Sequence, residues 1–391
     1  MVLGPKLVQS NLSESQGRAV LHTIAFPGFE EKKVSTSAPL PKPTLSTLSR
    51  LHIHFLLAFP FEALSMNYEP SGCMDATLSH TFDRFIGNGL GGGYCLQVNL
   101  LYREMLSFLG FRYIGVLGRV YSPISQDWSG LTHTASLVYL PSHLPKDQGK
   151  KVYYLSDVGF GSSPHRPILL RHGWEEYGRG SDKYRLVKSQ FQPRSTLEQD
   201  DEKEQGAGQV DQEVQAIAAS QSCWTLQNLK KGKQEWEDCY SFSTFECFYP
   251  DYQASNKATS HHASVPFATM ILVVRYLLNP NLLSESSKMV DKDGLDSDLY
   301  PYHPSVVEQR MIVGDKYIVK IGDDQNVFKV IQSERERVEL LKRDFGLLKH
   351  IQTETALEVI AGKPSALKTE GDKVKMNGKV NGNGNENGSA H

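Results

Sequence analysis

The sequence predicts an α+β protein in which helices come first, strands follow, and a mixed segment ends the chain. Up to about residue 111, apolar residues recur at steps of three and four, which is typical of helices that pack on a core. From Phe111 the period changes toward two, and Val, Tyr and Leu become frequent, which is typical of strands. Because helices and strands are segregated along the chain, a doubly wound sheet is not predicted.

Two strong helices and one weaker helix are predicted in the first part of the chain. Thr44–Leu57 has large apolar residues at steps of three and four, and Pro43 stands just before it. A weaker helix is expected around Asp75–Phe85. The second strong helix starts at Cys95 or just before it and stops at Gly110.

Strands are predicted after these helices. Arg112–Tyr121, Thr132–Leu140 and Lys151–Asp157 come in succession, and prolines and a glycine between the last two favour a hairpin. Further strand-like pieces are Tyr184–Val187, Cys223–Leu226 and Tyr240–Phe245.

The end of the chain mixes both kinds of element. Val265–Leu278 is apolar and β-branched, and it fits either a buried strand or a helix. Met311–Val319 and Asn326–Ile331 predict a hairpin around Gly322. Glu334–Leu348 then predicts an amphipathic helix.

The domain organisation follows from these changes in composition. We expect a helical domain at residues 1–111, a β domain at 112–247 and an α/β segment at 248–363. Near residues 195–220 the chain is acidic and poor in large apolar residues, which predicts an exposed insertion. Residues 364–391 are rich in Lys, Gly and Asn and predict a disordered tail.

The overall composition excludes several classes of protein. Of the 391 residues, 39% are hydrophobic and 22% are charged, which is ordinary for a globular protein. The net charge of -2 gives no reason to expect nucleic acid or an anionic membrane as a partner. No window reaches the roughly 18 uncharged apolar residues of a membrane span. The first residues lack the order of a signal peptide, so we expect a cytoplasmic protein.

The five cysteines are few for this length and odd in number. None forms a C-x-x-C pair or a Cys/His group with zinc-finger spacing. His261 and His262 have no companion at metal-ligand spacing. We therefore expect no metal and, in a reducing compartment, free thiols. One thiol is a candidate nucleophile, and the others are expected to be packing residues.

The candidate nucleophile is Cys95, which stands where a glycine-rich turn becomes a helix. A helix N-terminus places partial positive charge and free N–H groups beside the sulfur, which favours a thiolate. The same N–H groups are suited to an oxyanion hole. Gly92 and Gly93 would let a substrate carbonyl approach the backbone closely.

A cysteine nucleophile also needs an imidazole and a group that orients it. His133 and Asp157 lie on the two strands of the predicted hairpin. If Leu140 pairs with Lys151, Asp157 arrives within about one residue of the position opposite His133, where Cβ atoms are roughly 5 Å apart. The spacing thus predicts a Cys–His–Asp triad.

Each of these three residues also has an ordinary structural explanation. Cys95 fits a packed thiol, His133 fits a half-buried strand residue, and Asp157 fits a turn former before Val158 and Gly159. Only their combination with the glycine run favours a catalytic interpretation.

Four stretches of the chain resemble, in order and spacing, the motifs of the arylamine N-acetyltransferase family. Gly92-Gly93-Tyr94-Cys95-Leu96-Gln97-Val98-Asn99 resembles its nucleophile motif R-G-G-[WY]-C-x-[EQ]-x-N. The stretch from His54 through Pro60-Phe61-Glu62-Ala63-Leu64 resembles H-x(5)-P-F-E-N-L. The segment Gly118-Arg119-Val120 resembles the first barrel strand, and Asp157-Val158-Gly159-Phe160-Gly161 resembles D-[VA]-G-F-G. The resemblance is close from about residue 45 to residue 157 and looser to about residue 348.

The resemblance implies a three-domain fold with a cysteine-proteinase-like core, in which a β-barrel and an α/β lid follow the helical domain. It also implies a ping-pong mechanism with the triad Cys95, His133 and Asp157. The thiolate would take an acyl group from acetyl-CoA or another acyl-CoA, and an arylamine or arylhydrazine would accept it. His133 would manage the protons, and Asp157 would orient it. Phe160 matches an aromatic residue that lines the acceptor pocket of the family.

The family also implies contacts with coenzyme A. Family members hold CoA with a loop before the catalytic histidine, which corresponds to Ser129 and Gly130. A later stretch rich in Ser and Thr contributes in the family, and it corresponds loosely to Thr259, Ser260 and Ser264.

The chain departs from the family pattern at three places. Gly91 stands where the family has an Arg that helps to hold the nucleophile loop, so a less rigid loop is expected. Ser162, Ser163 and Pro164 stand where many vertebrate members have an Arg and a Tyr near the substrate, so a different pocket shape is expected. The acidic insertion and the tail resemble fungal members, some of which prefer malonyl-CoA. Acetyl, propionyl and malonyl donors therefore all stay open.

Two other functions remain open at this stage. Thiol hydrolases and transglutaminases share the Cys, His, Asp order, but they need an open cleft for a peptide. A weakly active paralogue that binds CoA or aromatic molecules is the alternative that Gly91 motivates.

Overall fold

The structure is a computed structural model that describes residues 4–30, 38–197, 212–261 and 265–367. Within these residues it has the predicted α+β organisation, in which helices precede a nearly closed antiparallel sheet and a smaller sheet with helices. Most of the predicted acidic insertion and Ser264 lie outside the described residues.

The N-terminal part is helical, with α1 (Glu14–Thr23), α2 (Leu45–Ala58), α3 (Ser65–Tyr68), α4 (Leu78–Phe82) and α5 (Cys95–Phe108). The two strong helical predictions are confirmed by α2 and α5. The hydroxyl of Thr44 caps α2 by accepting a hydrogen bond from the Thr47 N–H. The predicted weaker helix is shorter than expected, since α4 gives way to a π-helical turn at Asp83–Gly87.

Packing of α2 against α5 fixes the position of the nucleophile. Leu48, Leu51 and Phe55 of α2 are completely buried, as their helical spacing predicts. The ring of Phe55 meets that of Tyr102 on α5 edge-on, with centroids 5.0 Å apart. Each such burial stabilises the fold by about 1.5–3 kcal/mol. This contact joins α2 to α5, whose first turn carries Cys95.

The strands that follow form a sheet that nearly closes into a barrel. They are β1 (Arg112–Ser122), β2 (Asp127–Pro141), β3 (Lys151–Ser156), β4 (Ile168–Leu169), β5 (Trp174–Tyr177), β6 (Lys183–Ser189), β7 (Cys223–Leu229) and β8 (Glu237–Phe242), with α6 (Gln212–Ser220) before β7. In the described part of the chain their order is β4-β3-β2-β1-β8-β7-β6-β5, so the two edges are consecutive strands. Buried side chains such as Val116, Leu137 and Leu226 fill the interior.

The predicted hairpin of β2 and β3 is confirmed, but its register was wrong by one residue. Leu140 pairs with Val152 rather than with Lys151. The ladder also ends one residue before Asp157, so this carboxylate reaches His133 from beyond the ladder. The conformation of the intervening turn sets the register, and composition alone does not specify it.

The last part of the chain forms a second, four-stranded antiparallel sheet of order β12-β11-β10-β9 with surrounding helices. Its elements are α7 (Tyr249–His261), α8 (Pro266–Thr269), β9 (Leu272–Leu278), α9 (Pro280–Leu283), α10 (Ser286–Lys292), β10 (Val307–Val313), β11 (Lys316–Ile321), β12 (Asp324–Val330), α11 (Glu334–Asp344) and α12 (Thr353–Ile360).

Three predictions about this part need correction. Residues 265–278 are neither one strand nor one helix, because α8 begins at Pro266 and β9 follows it. Residues 311–319 are not one strand, since a turn with Gly314 at φ +61° separates β10 from β11, and β11 is the true partner of β12. The predicted helix to residue 348 ends at Asp344, and Gly346 at φ +71° then turns the chain away.

Residues just after the predicted start of the tail at 364 contact α3 and α11. Ser365 is buried, and its hydroxyl donates to the side-chain oxygen of Asn67 at 2.5 Å. The Leu367 N–H donates to Glu334 of α11 at 3.1 Å. The structure thus describes residues 364–367, and the rest of the predicted tail lies outside the described residues.

In the part of the chain that the structure describes, no helix combines the length and the apolar character needed to cross a bilayer.

Candidate active site

The glycine-rich turn delivers Cys95 to the first turn of α5. Tyr94 is the N-cap residue, and its side chain does not cap the helix. Its hydroxyl instead donates to the side chain of Asn256 on α7, which ties the turn to the C-terminal part of the chain. The Cys95 side chain is largely buried, and Sγ lies 3.5 Å from the carbonyl oxygen of Thr132. The sulfur therefore sits beside the partial positive charge of a helix N-terminus.

A β-bulge in β2 sets the direction of the histidine. Gly118 of β1 pairs with His133, but the next residue of β1, Arg119, pairs with Leu131. Thr132 is thus an extra residue in β2. Bulges bend a strand and re-aim the neighbouring side chains. This one presents a carbonyl to the thiol and places the imidazole beside it.

The structure brings the three predicted triad residues together. Nε2 of His133 lies 2.7 Å from Oδ2 of Asp157, and their side chains are 3% and 2% exposed. The nearby thiol of Cys95 also contributes to raising the pKa of this imidazole. Thiol, imidazole and carboxylate thus follow one another as in a nucleophile, base and orienting group.

The two buried partners shift each other's ionisation. Burial alone lowers the pKa of His133, but the carboxylate of Asp157 outweighs burial and raises it above its ordinary value. Burial alone raises the pKa of Asp157, but the imidazole, followed by Asn99, outweighs it and lowers the pKa. Opposite charges in hydrogen-bond contact favour each other's charged form. The charged imidazolium and carboxylate forms are therefore favoured at His133 and Asp157.

Asn99 holds the carboxylate in place, a role that the sequence analysis missed. Its Nδ2 donates to Oδ1 of Asp157 at 2.9 Å and to the Thr134 carbonyl at 2.7 Å. Its Oδ1 accepts a hydrogen bond from the Val158 N–H at 3.2 Å. Asn99 lies four residues after Cys95, so both project from the same face of α5. That spacing is the signal from which the role was predictable.

Two aromatic rings enclose the imidazole. The ring of Tyr240 lies 4.4 Å from that of His133, and the ring of Phe160 lies 5.3 Å from it, measured between centroids. The two aromatic rings also contact each other at 5.0 Å. Tyr240 is completely buried, whereas Phe160 is half-buried. Phe160 thus stands at the site, and its role in acceptor binding stays a prediction.

Another aromatic cluster flanks the nucleophile. The ring of Phe267 lies 5.9 Å from both Phe61 and Tyr94. Phe61 also pairs through its backbone with Gly93 of the nucleophile turn and with Val274 of β9. The sequence analysis did not single out Phe61 or Phe267 as functional side chains. Their contact depends on β9 lying beside the turn, which no local pattern specifies.

The two predicted CoA contacts before the histidine lie in the hairpin of β1 and β2. Gly130 is exposed, and no heavy atom of the described residues stands within 4 Å of the place that a Cβ would take. Ser129 is half-buried, and its hydroxyl accepts a hydrogen bond from the Val120 N–H at 2.8 Å. Their role in CoA binding stays a prediction.

The later predicted CoA contacts face the protein interior or lie outside the described residues. Thr259 and Ser260 on α7 are 3% and 2% exposed. The hydroxyl of Thr259 donates to the Ser255 carbonyl, and that of Ser260 bonds the His261 ring. Ser264 is outside the described residues. A direct role of these three residues in CoA binding is therefore untested.

Gly91 meets two separate requirements for a glycine. Its φ is +116°, a conformation that residues with a Cβ rarely adopt. A Cβ at this position would also run into the side chain of Leu347, which is buried after α11. At Gly92, a Cβ would overlap the Pro60 carbonyl. The backbone conformation at residue 91 therefore favours the glycine by which this chain departs from the family pattern.

Among the described residues, no group of three or more His, Cys, Asp or Glu side chains is placed to hold a metal ion. All five cysteines are free thiols.

Comparison with known sequences matches this chain to N-acetyltransferases. Residues 44–283 match the model of a family described as N-acetyltransferase. The arylamine N-acetyltransferase 2 of Macaca mulatta is 34% identical over 135 residues, which are 34% of this chain and 42% of the relative. An arylamine N-acetyltransferase / N-hydroxyarylamine O-acetyltransferase of Salmonella typhimurium is 31% identical over 123 residues, 32% of this chain and 40% of the relative. The matches thus span about two fifths of these relatives' lengths.

Comparison with solved structures extends over most of the chain. An arylamine N-acetyltransferase from Mycobacterium abscessus superposes with a TM-score of 0.63 at 19% identity, covering 90% of this chain and 96% of the other. The arylamine N-acetyltransferase of Mycobacterium marinum in complex with CoA gives a TM-score of 0.59 at 19% identity, covering 89% and 99%. At such identities the likeness concerns the fold, and it confirms the predicted three-domain architecture.

Proposed function

This chain belongs to the arylamine N-acetyltransferase family, and on that basis we propose that it moves an acyl group from acyl-CoA to an arylamine or arylhydrazine through a thioester on Cys95. The main support is the buried chain of thiol, imidazole and carboxylate at Cys95, His133 and Asp157. The position of Cys95 at the start of α5 supports the same assignment, because free N–H groups at a helix start are suited to bind an oxyanion.

In the first half-reaction the Cys95 thiolate attacks the carbonyl carbon of the acyl-CoA thioester. Negative charge moves to the carbonyl oxygen, where the N-terminal N–H groups of α5 would stabilise it. When the bond between that carbon and the CoA sulfur breaks, His133 gives its proton to the leaving sulfur. The acyl group stays on Sγ, and the imidazole is left neutral.

In the second half-reaction the acceptor nitrogen attacks the acyl carbon on Cys95. The neutral imidazole of His133 takes a proton from that nitrogen, and the bond from the acyl carbon to Sγ breaks. The amide leaves, and the thiolate and imidazolium are restored. Asp157 holds the imidazole in one orientation throughout.

The binding of the two substrates is proposed from the surroundings of the triad. Phe160, Phe61 and Phe267 form apolar walls that suit an aromatic ring. The exposed backbone at Gly130 is near the histidine in sequence and would contact CoA. The acyl group itself, acetyl, propionyl or malonyl, and a cytoplasmic location stay predictions.

Intact mass measurement tests the covalent step directly. The protein is incubated with acetyl-CoA, propionyl-CoA or malonyl-CoA without an acceptor. We expect one acyl adduct that is absent in Cys95→Ala and that anilines or hydrazines discharge. The half-buried Cys73 supplies the control, because Cys73→Ala should keep the adduct. The absence of an adduct with all three donors would contradict the proposal.

An assay of the same protein with peptide amides distinguishes the competing functions. Amine release from peptide amides without any need for CoA would instead support a thiol hydrolase. A screen of the three donors against anilines, aminophenols and hydrazines then identifies the preferred pair.

A further inference from the structure

The buried guanidinium of Arg84 contacts the turn that carries the nucleophile. Arg84 lies in the π-helical turn after α4, and its side chain is 5% exposed. Nε donates to the carbonyl of Gly92 at 3.3 Å. Nη2 donates to Glu62 at 3.2 Å, and Nη1 donates to Glu69 at 2.9 Å. One side chain thus joins the glycine turn, 8 residues after it, to two carboxylates that lie 15 and 22 residues before it.

Glu62 extends this contact to the other side of the turn. Its side chain is completely buried, and Oε2 accepts a hydrogen bond from the Leu64 N–H at 2.5 Å. Its own N–H donates to the Gly93 carbonyl at 3.1 Å, and the Gly93 N–H donates to the Pro60 carbonyl at 3.2 Å. The turn just before Cys95 is therefore held between this segment and Arg84.

The charges in this cluster are balanced by one another. Burial lowers the pKa of Arg84, but Glu62 and Glu69 outweigh burial and raise it. Burial raises the pKa of Glu62, and Arg84 opposes that rise. Removing the guanidinium would leave a buried carboxylate and the Gly92 carbonyl without this donor, and an uncompensated buried charge is strongly destabilising. The turn would have to rearrange.

The conformation of Gly91 explains why the cation comes from elsewhere in the sequence. At φ +116°, and with the end of the Leu347 side chain in the way of a Cβ, residue 91 disfavours a side chain. A guanidinium can reach the turn only from another segment, and the π-helical turn supplies it. The looser turn that Gly91 suggested from sequence is thus countered by Arg84.

We propose that Arg84 is a positioning residue that fixes the turn 91–94 and, through it, the distance of the Cys95 sulfur from His133. Catalysis is sensitive to such placement, since a shift of about 1 Å can cost about 100-fold in rate. The statement about turnover rests on the proposed function, whereas the reactivity of the thiol toward an alkylating agent does not.

The test compares Arg84→Gln and Arg84→Lys with the same changes at Arg337. Arg337 is also completely buried and paired, with Glu334, Tyr68 and the Ser365 carbonyl as partners. It therefore controls for the loss of a buried arginine as such. Four quantities are measured for each variant: the rate of Cys95 alkylation by iodoacetamide across pH, kcat and KM with acetyl-CoA, and the midpoint of thermal unfolding.

For Arg84→Gln we expect kcat to fall by about 10- to 100-fold while KM for the donor changes by less than about threefold. Alkylation at neutral pH should slow by about tenfold, and its pH profile should shift. Arg84→Lys keeps the charge near Glu62 but not the forked geometry, so it should recover part of both rates. Arg337→Gln should lower the unfolding midpoint yet keep the alkylation profile.

A purely structural role would give a different pattern. If the Arg84 variants lose thermal stability as the Arg337 variants do but keep the wild-type alkylation profile and kcat, the inference is wrong. If Arg84→Gln does not fold, Arg84→Lys decides by the same two rates. If wild-type Cys95 alkylates as an activated thiol but no acyl-CoA reacts, the proposed function fails, and the alkylation rates still decide the role of Arg84.

Discussion

Asn99 donates a hydrogen bond to the carboxylate of Asp157 from one helical turn beyond the nucleophile. The helix that presents Cys95 therefore also fixes the group that orients the histidine. Because Asn99 and Cys95 both belong to α5, the hydrogen bond from Asn99 couples the position of the Asp157 carboxylate to the helix that carries the thiol. Cys95, His133 and Asp157 themselves come from a helix, a strand and a loop.

Replacing Asn99 should weaken both stability and activity. Asn99→Ala removes one hydrogen bond to the Asp157 carboxylate and one to the Thr134 carbonyl, at a cost of about 1–3 kcal/mol for each buried group that loses its partner. Transfer activity should fall more than stability alone predicts, because the imidazole loses its fixed partner. Urea unfolding and single-turnover kinetics measure the two effects. The exposed Asn281→Ala on α9 is the control, and equal behaviour of the two variants would contradict this role.

Replacing the carboxylate should change the charge of the imidazole. Asp157 is what raises the pKa of His133 against burial, so Asp157→Asn should lower that pKa and favour the neutral ring at neutral pH. We expect transfer to fall by about 10³- to 10⁴-fold, as in other triads that lose their orienting carboxylate. Alkylation of Cys95 at neutral pH should slow as well. NMR titration of His133 checks the cause, and an unchanged titration would refute it.

Substitutions at Gly89 and Gly91 distinguish the cost of backbone strain from the cost of a steric clash. Both have positive φ, +59° and +116°, but only at Gly91 would a Cβ meet a neighbour, Leu347. Gly89→Ala should cost about 1 kcal/mol through strain alone, and Gly91→Ala should cost more. In a double-mutant cycle, Leu347→Ala should show a coupling of about 1 kcal/mol or more with Gly91→Ala and almost none with Gly89→Ala. Equal couplings would show that Leu347 does not constrain residue 91.

The buried histidines of the core should make the fold sensitive to acid. Burial lowers the pKa of His52 to about 4, while its ring bonds Ser156 and the Pro164 carbonyl. An unfolded histidine titrates near its ordinary value, so between that value and about pH 4 the unfolded chain binds more protons. Stability should therefore be lost as pH falls through this window, by up to about 1.4 kcal/mol per pH unit for this residue.

Urea unfolding at several pH values tests this prediction. The quantity compared is the slope of the free energy of unfolding against pH, not the absolute stability. His52→Gln should flatten the slope in the acidic window. The exposed His80→Gln controls for the loss of a histidine. A His52→Gln variant that keeps the wild-type slope would show that His52 does not cause the acid sensitivity.

The sequence by itself predicted the main helices and strands and the candidate residues of the site. Apolar residues at helical spacing predicted α2 and α5, and the turn from glycines into a helix singled out Cys95. Alternating strands and family-like motifs pointed to His133 and Asp157. These are local signals, in which each residue is interpreted against neighbours a few positions away.

Only the tertiary structure decided how these elements meet. The register of the β2–β3 hairpin, the bulge at Thr132 and the contact of Arg84 with Gly92 each depend on segments brought together by packing. A shift of one residue in a strand costs little in local propensity but reverses which side chains face the core. Burial of the whole core selects one arrangement, and with it the distances on which the chemistry of Cys95 depends.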